Sequence, residues 1–158
     1  MTSTATVERR DASATPNLDG HTALEVSFAR AVGSKAGVIA EADQLWPHRV
    51  RLIIRARLRR WGRPGLAEYA ELLATELVTN ALKHGRGDVG VRMYPRADRL
   101  RIEVRDGSYE CPVPRTAALD DEDGRGLLLI AAIADDWGVS HDGTTTWCTL
   151  PLREGTTT

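Results

Sequence analysis

The sequence is 158 residues long, with hydrophobic residues at 42% and aromatic residues at 5%. This length and apolar content fit one ordinary domain with its own core and disfavour two domains. Lysine and arginine (21) nearly balance aspartate and glutamate (22), and the formal net charge is -1. That balance excludes a global electrostatic attraction to nucleic acid or to an anionic membrane.

The cysteine content and the N-terminus both favour a soluble cytoplasmic protein. Cys111 and Cys148 are the only cysteines, and they show neither metal-ligand spacing nor a disulfide framework. The first residues lack the apolar core of a signal peptide, and no apolar run is long enough to span a bilayer. We therefore expect no membrane segment and no direct contact with nucleic acid.

The composition predicts an N-terminal tail, one domain and a short C-terminal tail. Residues 1–20 are rich in Thr, Ser, Ala, Asp and Pro without apolar periodicity, which predicts a disordered N-terminal tail. Residues 21–153 form the predicted domain, and 154–158 a second tail. The domain opens on a predicted strand in which Leu24, Val26 and Phe28 alternate with polar residues.

Helical periodicity follows that strand. Apolar residues at helical spacing predict a helical region from Ser34 to Leu45, and Pro47 either starts a second helix or kinks a single one. Gly62 and Pro64 end this region. The next predicted helix begins near Leu66 and stops at Gly85 and Gly87, with Lys83 and His84 in its last turn.

Arginines cluster with aliphatic residues between Arg49 and Arg63. The pattern predicts an amphipathic helix whose arginine face is solvated while the other face packs on the domain. A protein-binding or nucleotide-facing surface is the alternative interpretation of the same pattern.

Beyond Gly87 the apolar period changes from about 3.6 to 2. Alternation predicts strands around Val91 and Ile102 joined by a hairpin at 95–98, a helix from Leu127 to Ala134, and strands at 137–140 and 145–152. This order of elements predicts an α/β two-layer sandwich with a mixed, largely antiparallel sheet and helices on one face. It does not fit alternating βαβ units.

Three short segments carry the chemistry. Glu76 and Asn80 are four residues apart on the predicted helix, so they lie one above the other at the edge of its apolar stripe. An amide oxygen there suits Mg²⁺, and a carboxylate can polarise an attacking hydroxyl or water. An ordinary helix pair, or Asn80 as a helix-capping residue, is the alternative interpretation.

The second and third segments contain glycine. Asp106 ends an alternating strand and precedes Gly107, so its carboxylate can accept a hydrogen bond from an exocyclic amine, although Asp-Gly is also a common turn. Gly124 and Gly126 precede the apolar helix, where backbone N–H groups can cradle phosphate. No Gly-Lys-Ser/Thr follows, so this is not a Walker A loop.

Together, in this order and followed by Gly143-Thr144-Thr145-Thr146-Trp147, the segments resemble the GHKL (Bergerat-fold) ATPase superfamily over residues 24–152. Residues 76–85 resemble its N box, 106–108 its G1 box and 124–126 its G2 box. Within the superfamily, the chain resembles the compact actinobacterial-style ATP-binding regulatory proteins that are related to RsbW-type anti-sigma-factor serine/threonine kinases. The G1 box departs from the fuller pattern by lacking a second glycine, and the segment before Gly124 carries Asp120, Asp121, Glu122 and Asp123.

The resemblance implies ATP and Mg²⁺ as cofactors. It implies that Asn80 holds Mg²⁺, that Glu76 is the general base and that Asp106 recognises adenine. The nucleotide-binding set then consists of Asn80, Lys83, His84, Asp106, Gly107, Gly124, Arg125, Gly126, Leu127 and Thr145.

The function implied is transfer of the ATP γ-phosphate to a serine of an anti-sigma-factor antagonist, together with sequestration of a sigma factor. A homodimer is compatible with the resemblance. The alternative is a non-catalytic ATP-binding module that binds a protein partner without phosphorylating it. A sensor histidine kinase fragment fits poorly, because His48 follows Trp46-Pro47 without an acidic neighbour.

Overall fold

The computed structural model describes residues 6–8, 23–31, 37–107 and 122–152, and of residues 6–8 and 122–127 it describes the backbone alone. Among these residues six strands form one sheet in the order β1-β5-β6-β4-β3-β2. The strands are β1 (Thr6–Glu8), β2 (Leu24–Phe28), β3 (Val89–Arg96), β4 (Arg99–Arg105), β5 (Asp136–Ser140) and β6 (Thr145–Pro151). The helices are α1 (Trp46–Arg60), α2 (Ala67–His84) and α3 (Glu122–Ile133).

The sheet is mixed and largely antiparallel. Strand β1 pairs with β5 in parallel, and every other pair of neighbours is antiparallel. Helix α2 packs on the centre of the sheet, and α1 and α3 pack against α2. The predicted two-layer α/β sandwich with helices on one face is therefore confirmed.

Helix α2 is the central element of the core. Its buried residues recur every three or four positions, so a continuous apolar stripe faces the sheet: Ala70, Leu73, Ala74, Leu77, Val78, Ala81 and Leu82. Helix α1 buries Val50, Ile54 and Leu58 against it. Glu71 of α2 is also buried and meets Arg55 of α1 at 2.8 Å.

The central strands alternate as predicted. Met93 and Ile102 are fully buried on the helical side, while Tyr94, Arg101 and Glu103 lie on the opposite face. Ala97 and Asp98 form the two-residue turn between β3 and β4, and Ala97 has a positive φ of 54°. The predicted hairpin is thus present, with a shorter connection than residues 95–98.

The predicted helical region from Ser34 to Leu45 is wrong where the structure describes it. Residues 38–40 are not helical, and only Glu41–Asp43 form a short 3-10 helix. Gly37 has a φ of 80°, which right-handed helix cannot accommodate. The carboxylate of Asp43 instead accepts the backbone N–H of Ala31 at 3.0 Å. Helix α1 begins with Pro47 in its first turn, so the proline starts a helix and does not kink one.

Strand β1 lies within the segment that we predicted to be a disordered tail. Thr6, Val7 and Glu8 pair with Gly138, Val139 and Ser140 of β5. A three-residue strand is too short to show alternation, and its hydrogen-bond partners lie more than a hundred residues away in the sequence. Residues 9–22 and 153–158 lie outside the described residues, and so do the tail predictions that concern them.

Candidate nucleotide-binding site

Glu76 and Asn80 lie on the same side of α2, one turn apart. Both are half-buried, whereas Leu77 and Ala81 beside them are buried. This is the predicted arrangement, in which two polar side chains lie at the edge of the apolar stripe. Burial raises the pKa of the Glu76 carboxyl above its usual range, and the positive charge of Lys83 opposes that shift. The raised pKa makes the Glu76 carboxylate a better proton acceptor than an exposed glutamate.

Helix α2 ends against the residues that follow β4. His84 is its last residue, and Gly85 donates its N–H to the carbonyl of Ala81 at 2.9 Å. A Cβ on Gly85 would lie only 2.5 Å from Oδ2 of Asp106 and 2.6 Å from the Ala81 carbonyl oxygen. The Asp106 carboxylate can approach the helix end because residue 85 has no side chain.

Gly107 makes a second close approach at the same place. Its N–H donates to the Arg86 carbonyl at 2.5 Å, and a Cβ on Gly107 would lie 2.6 Å from that oxygen. The N–H of Asp106 donates to the Thr144 carbonyl at 2.9 Å. We call this group the Gly85–Asp106 corner: Gly85, Arg86, Asp106, Gly107 and Thr144.

The turn between β5 and β6 completes the corner. Oδ1 of Asp142 accepts from the Ser140 hydroxyl at 2.6 Å and from the Thr144 hydroxyl at 2.8 Å. Thr145 pairs with Arg105 in the sheet, directly before Asp106. The structure therefore brings the predicted residues Asp106, Gly107 and Thr145 together with the end of α2.

Comparison with protein families identifies this arrangement. Residues 39–150, well over half of the chain, match the family model described as the histidine kinase-like ATPase domain. The chain belongs to this family. Its members are GHKL-type, ATP-binding ATPase domains, so the predicted superfamily is confirmed. A search of curated proteins found no match.

Every predicted site residue lies within the part that matches the histidine kinase-like ATPase domain, from Glu76 to Thr145. Strand β2 and Arg30, which follows it, lie before that part. Helix α1, including the exposed His48, packs on α2 inside the ATPase domain. This location gives no support to a phosphoacceptor role for His48.

Arg30 is a site residue that sequence reasoning missed. Its guanidinium donates hydrogen bonds from Nη1 to the Gly85 carbonyl and from Nη2 to the Ala81 carbonyl. Burial lowers the pKa of the guanidinium, and the charges of Asp106 and then Asp43 raise it. The residue follows a predicted strand and belongs to no motif, so only its position in three dimensions shows that it contacts the end of α2.

The predicted start of the last helix is wrong. Helix α3 begins at Glu122, so Gly124, Arg125, Gly126 and Leu127 lie within its first turns and not before it. Acidic residues favour the first turn of a helix, and a glycine inside a helix costs only about 1 kcal/mol. The side chains of these residues, and the whole of residues 108–121, lie outside the described residues.

The ligand that the protein offers at Asn80 suits a magnesium ion whose other ligands are mainly nucleotide phosphate oxygens. Among the described residues, no group of three His, Cys, Asp or Glu side chains could hold a metal alone. Mg²⁺ is usually bound through one or two protein ligands together with phosphate oxygens and water. One half-buried amide oxygen from Asn80 fits that pattern.

In the part of the chain that the structure describes, no helix combines the length and the apolar character needed to cross a bilayer.

Proposed function

We propose that this ATPase domain is an ATP-dependent serine/threonine protein kinase of the anti-sigma-factor type. It would transfer the γ-phosphate of ATP to a serine of an anti-sigma-factor antagonist and, in its other state, sequester a sigma factor. The observation that carries the proposal is the position of Glu76 and Asn80, one turn apart on the helix that ends at the Gly85–Asp106 corner.

Recognition of the base is assigned to Asp106. Its carboxylate lies against the end of α2, and its backbone N–H donates to Thr144 in the β5–β6 turn. When ionised, the carboxylate can only accept hydrogen bonds. A 6-amino group donates to such an acceptor, whereas the 6-oxo group of guanine does not. The corner therefore favours ATP over GTP.

Recognition of the phosphates is assigned to the last turns of α2. Asn80 supplies an amide oxygen to Mg²⁺, and Lys83 supplies a positive charge three residues later. When bound, Mg²⁺ neutralises part of the triphosphate charge. His84 is exposed at the end of the helix, where it can meet phosphate oxygens.

The chemical step is assigned to Glu76. Its carboxylate accepts the proton of the serine hydroxyl as the serine oxygen bonds to the γ-phosphorus, and the bond from that phosphorus to the ADP oxygen breaks. The products are phosphoserine and ADP. The raised pKa of Glu76 makes it a stronger base than an exposed glutamate, in line with this role.

The outer face of α1 supports a protein partner. Leu52 and Ile53 are exposed at 47% and 36%, and the exposed residues Arg49, Arg59 and Arg60 lie near the two ends of the same helix. Helix α1 contains no acidic residue. An apolar centre with arginines at both ends fits a protein partner whose contact surface is acidic. A homodimer remains a prediction.

The alternative is a non-catalytic module that binds ATP and a protein partner without phosphorylating it. The abbreviated G1 sequence, Asp106-Gly107-Ser108, favours this alternative, because it lacks the second glycine of the fuller pattern. The two functions differ in whether the partner is phosphorylated, and only the kinase needs Glu76.

The first experiment is calorimetric titration with Mg-ATP and Mg-GTP. We expect selective binding of ATP that is lost in Asn80→Ala and kept in Thr79→Ala, a matched change at the neighbouring half-buried position. If the unaltered protein binds neither nucleotide at millimolar concentration, the kinase and the ATP-binding module are both wrong.

The second experiment tests phosphotransfer to purified antagonist proteins that carry or lack their acceptor serine. A kinase transfers labelled γ-phosphate only to the serine-bearing form, and Glu76→Gln abolishes transfer while ATP binding persists. Glu68→Gln, on the exposed first turn of α2, is the matched control. ATP binding without any transfer supports the non-catalytic module.

A further inference from the structure

Arg30 connects the end of β2 to the Gly85–Asp106 corner. It lies two residues beyond β2, and its guanidinium crosses to the end of α2, which is 51 to 55 residues away in the sequence. The stacking of Phe28 on Trp46, with ring centroids 4.2 Å apart, fixes the end of β2 against α1. The backbone next to Arg30 is held by the buried Asp43, which accepts the Ala31 N–H.

The same guanidinium faces two kinds of negative charge. The first consists of the carbonyl oxygens of Ala81 and Gly85, which form the negative end of the α2 dipole. The second is the Asp106 carboxylate, whose charge acts on Arg30 more strongly than that of Asp43. Because Oδ2 of Asp106 lies directly against Gly85, one cation can hold both groups.

We propose that Arg30 is a positioning residue for base recognition, which fixes the Asp106 carboxylate so that it accepts the exocyclic amine of a 6-aminopurine nucleotide. The inference rests on the proposed function, and it adds a residue that lies before the part of the chain that matches the ATPase family. A carboxylate has two oxygens with about four acceptor sites, so it can accept from Arg30 and from the base together.

Arginine suits this position better than lysine. Its planar fork presents several N–H donors in fixed directions, so it can bind two carbonyl oxygens and still face a carboxylate. A lysine ammonium supplies the charge without the fork. Arg30→Lys should therefore keep part of the effect, and Arg30→Met should remove all of it.

The test compares ATP with purine riboside triphosphate, which lacks the 6-amino group, by calorimetric titration. We expect the unaltered protein to bind ATP about tenfold more tightly, as a hydrogen bond to a charged acceptor provides. Arg30→Met should weaken ATP about tenfold and change the analogue less than about twofold. Arg30→Lys should give an intermediate preference.

Arg92→Met is the matched control, since it removes a half-buried arginine that lies at 4.6 Å over the Tyr94 ring on the face of the sheet opposite α2. It should leave the ATP preference unchanged. If Arg30→Met weakens both nucleotides by the same factor, Arg30 only stabilises the end of α2 and the inference is overturned. Equal binding in Arg30→Met and the unaltered protein overturns it as well.

If Arg30→Met does not fold, Arg30→Lys decides, and an ATP preference equal to that of the unaltered protein overturns the inference. Failure of the proposed function looks different. An unaltered protein that binds neither nucleotide contradicts ATP binding itself and overturns both proposals. An unaltered protein that binds both nucleotides equally contradicts base recognition by Asp106, and the inference about Arg30 is overturned with it.

Discussion

Replacing Gly85 by alanine tests the geometry of the corner with one carbon atom. Gly85 has a φ of -82°, which alanine adopts without strain, so the backbone conformation itself imposes no penalty. The added Cβ would lie 2.5 Å from Oδ2 of Asp106 and 2.6 Å from the carbonyl oxygen of Ala81. Any effect of the substitution is therefore steric.

The size of the effect follows from those distances. Ordinary contact begins at 3.4 Å, so the Asp106 carboxylate must move by the difference from 2.5 Å, about 0.9 Å. The Ala81 oxygen belongs to the backbone of α2 and cannot rotate away, so the helix end must shift too. Overpacking of this kind costs about 1–3 kcal/mol. With a urea dependence of about 2 kcal/mol/M, the unfolding midpoint should fall by about 1 M.

Urea unfolding and calorimetric titration with Mg-ATP measure both consequences. Gly85→Ala should also weaken ATP binding about tenfold, because Asp106 would leave the position from which we propose that it accepts the base amine. Gly90→Ala is the control: nothing lies within 4 Å of its Cβ, and alanine should be neutral or stabilise the strand by up to about 1 kcal/mol. If Gly85→Ala unfolds and binds ATP as the unaltered protein does, the close approach of Asp106 is wrong.

Three further predictions concern titratable groups. Burial raises the pKa of Glu76 above 4.5, so ionisation of its carboxyl destabilises the folded protein. Glu76→Gln cannot ionise, so its free energy of unfolding should rise relative to that of the unaltered protein as the pH increases above 4.5. Urea unfolding between about pH 4 and pH 7 measures this difference. Burial and the Glu103 charge raise the pKa of Tyr94 from 10.0 to about 12. The contribution of the protonated Tyr94 to the free energy of unfolding is therefore fully present below pH 10, and it should fall by about 2–3 kcal/mol as the pH rises from 10 to 12. Tyr94→Phe should lack this fall in the same alkaline unfolding series. Burial raises the pKa of the Cys148 thiol to about 12. In a Cys111→Ser background, a thiol reagent at about pH 8 should therefore label Cys148 only after unfolding. Rapid labelling of the native protein, detected by mass spectrometry, would contradict the burial of Cys148.

Regular elements with strong periodicity could be predicted from the sequence. Helix α2 and strands β3 and β4 each bury one face, and burial of one face leaves a repeat of 3.6 or 2 that the sequence displays. The residues before α1 had helical spacing without forming an α-helix. There, the positive φ of Gly37 and the inward Asp43 outweigh the apolar pattern.

The candidate site could be predicted from the sequence only where its residues lie close together in the chain. The spacing of Glu76 and Asn80 places both on one side of a helix whatever the rest of the fold does. The contact of Gly85 with Asp106 joins residues of different elements, and a glycine after a helix is more simply explained as a stop signal. Arg30 carries no motif at all, because its role depends on carbonyl oxygens more than 50 residues away.

The two halves of the site differ in how they are built, and this difference bears on specificity. The Gly85–Asp106 corner depends on backbone contacts among α2, β4 and the β5–β6 turn, which are fixed by the packing of the whole domain. Among the described residues, the proposed phosphate side uses side chains of α2, namely Glu76, Asn80, Lys83 and His84. Substitutions on α2 can therefore change affinity for phosphate or phosphotransfer without altering base preference. If the proposed roles hold, we expect base preference to change through the corner or through Arg30. The ratio of ATP to GTP affinity would then report on the corner, and the phosphotransfer rate would report on α2.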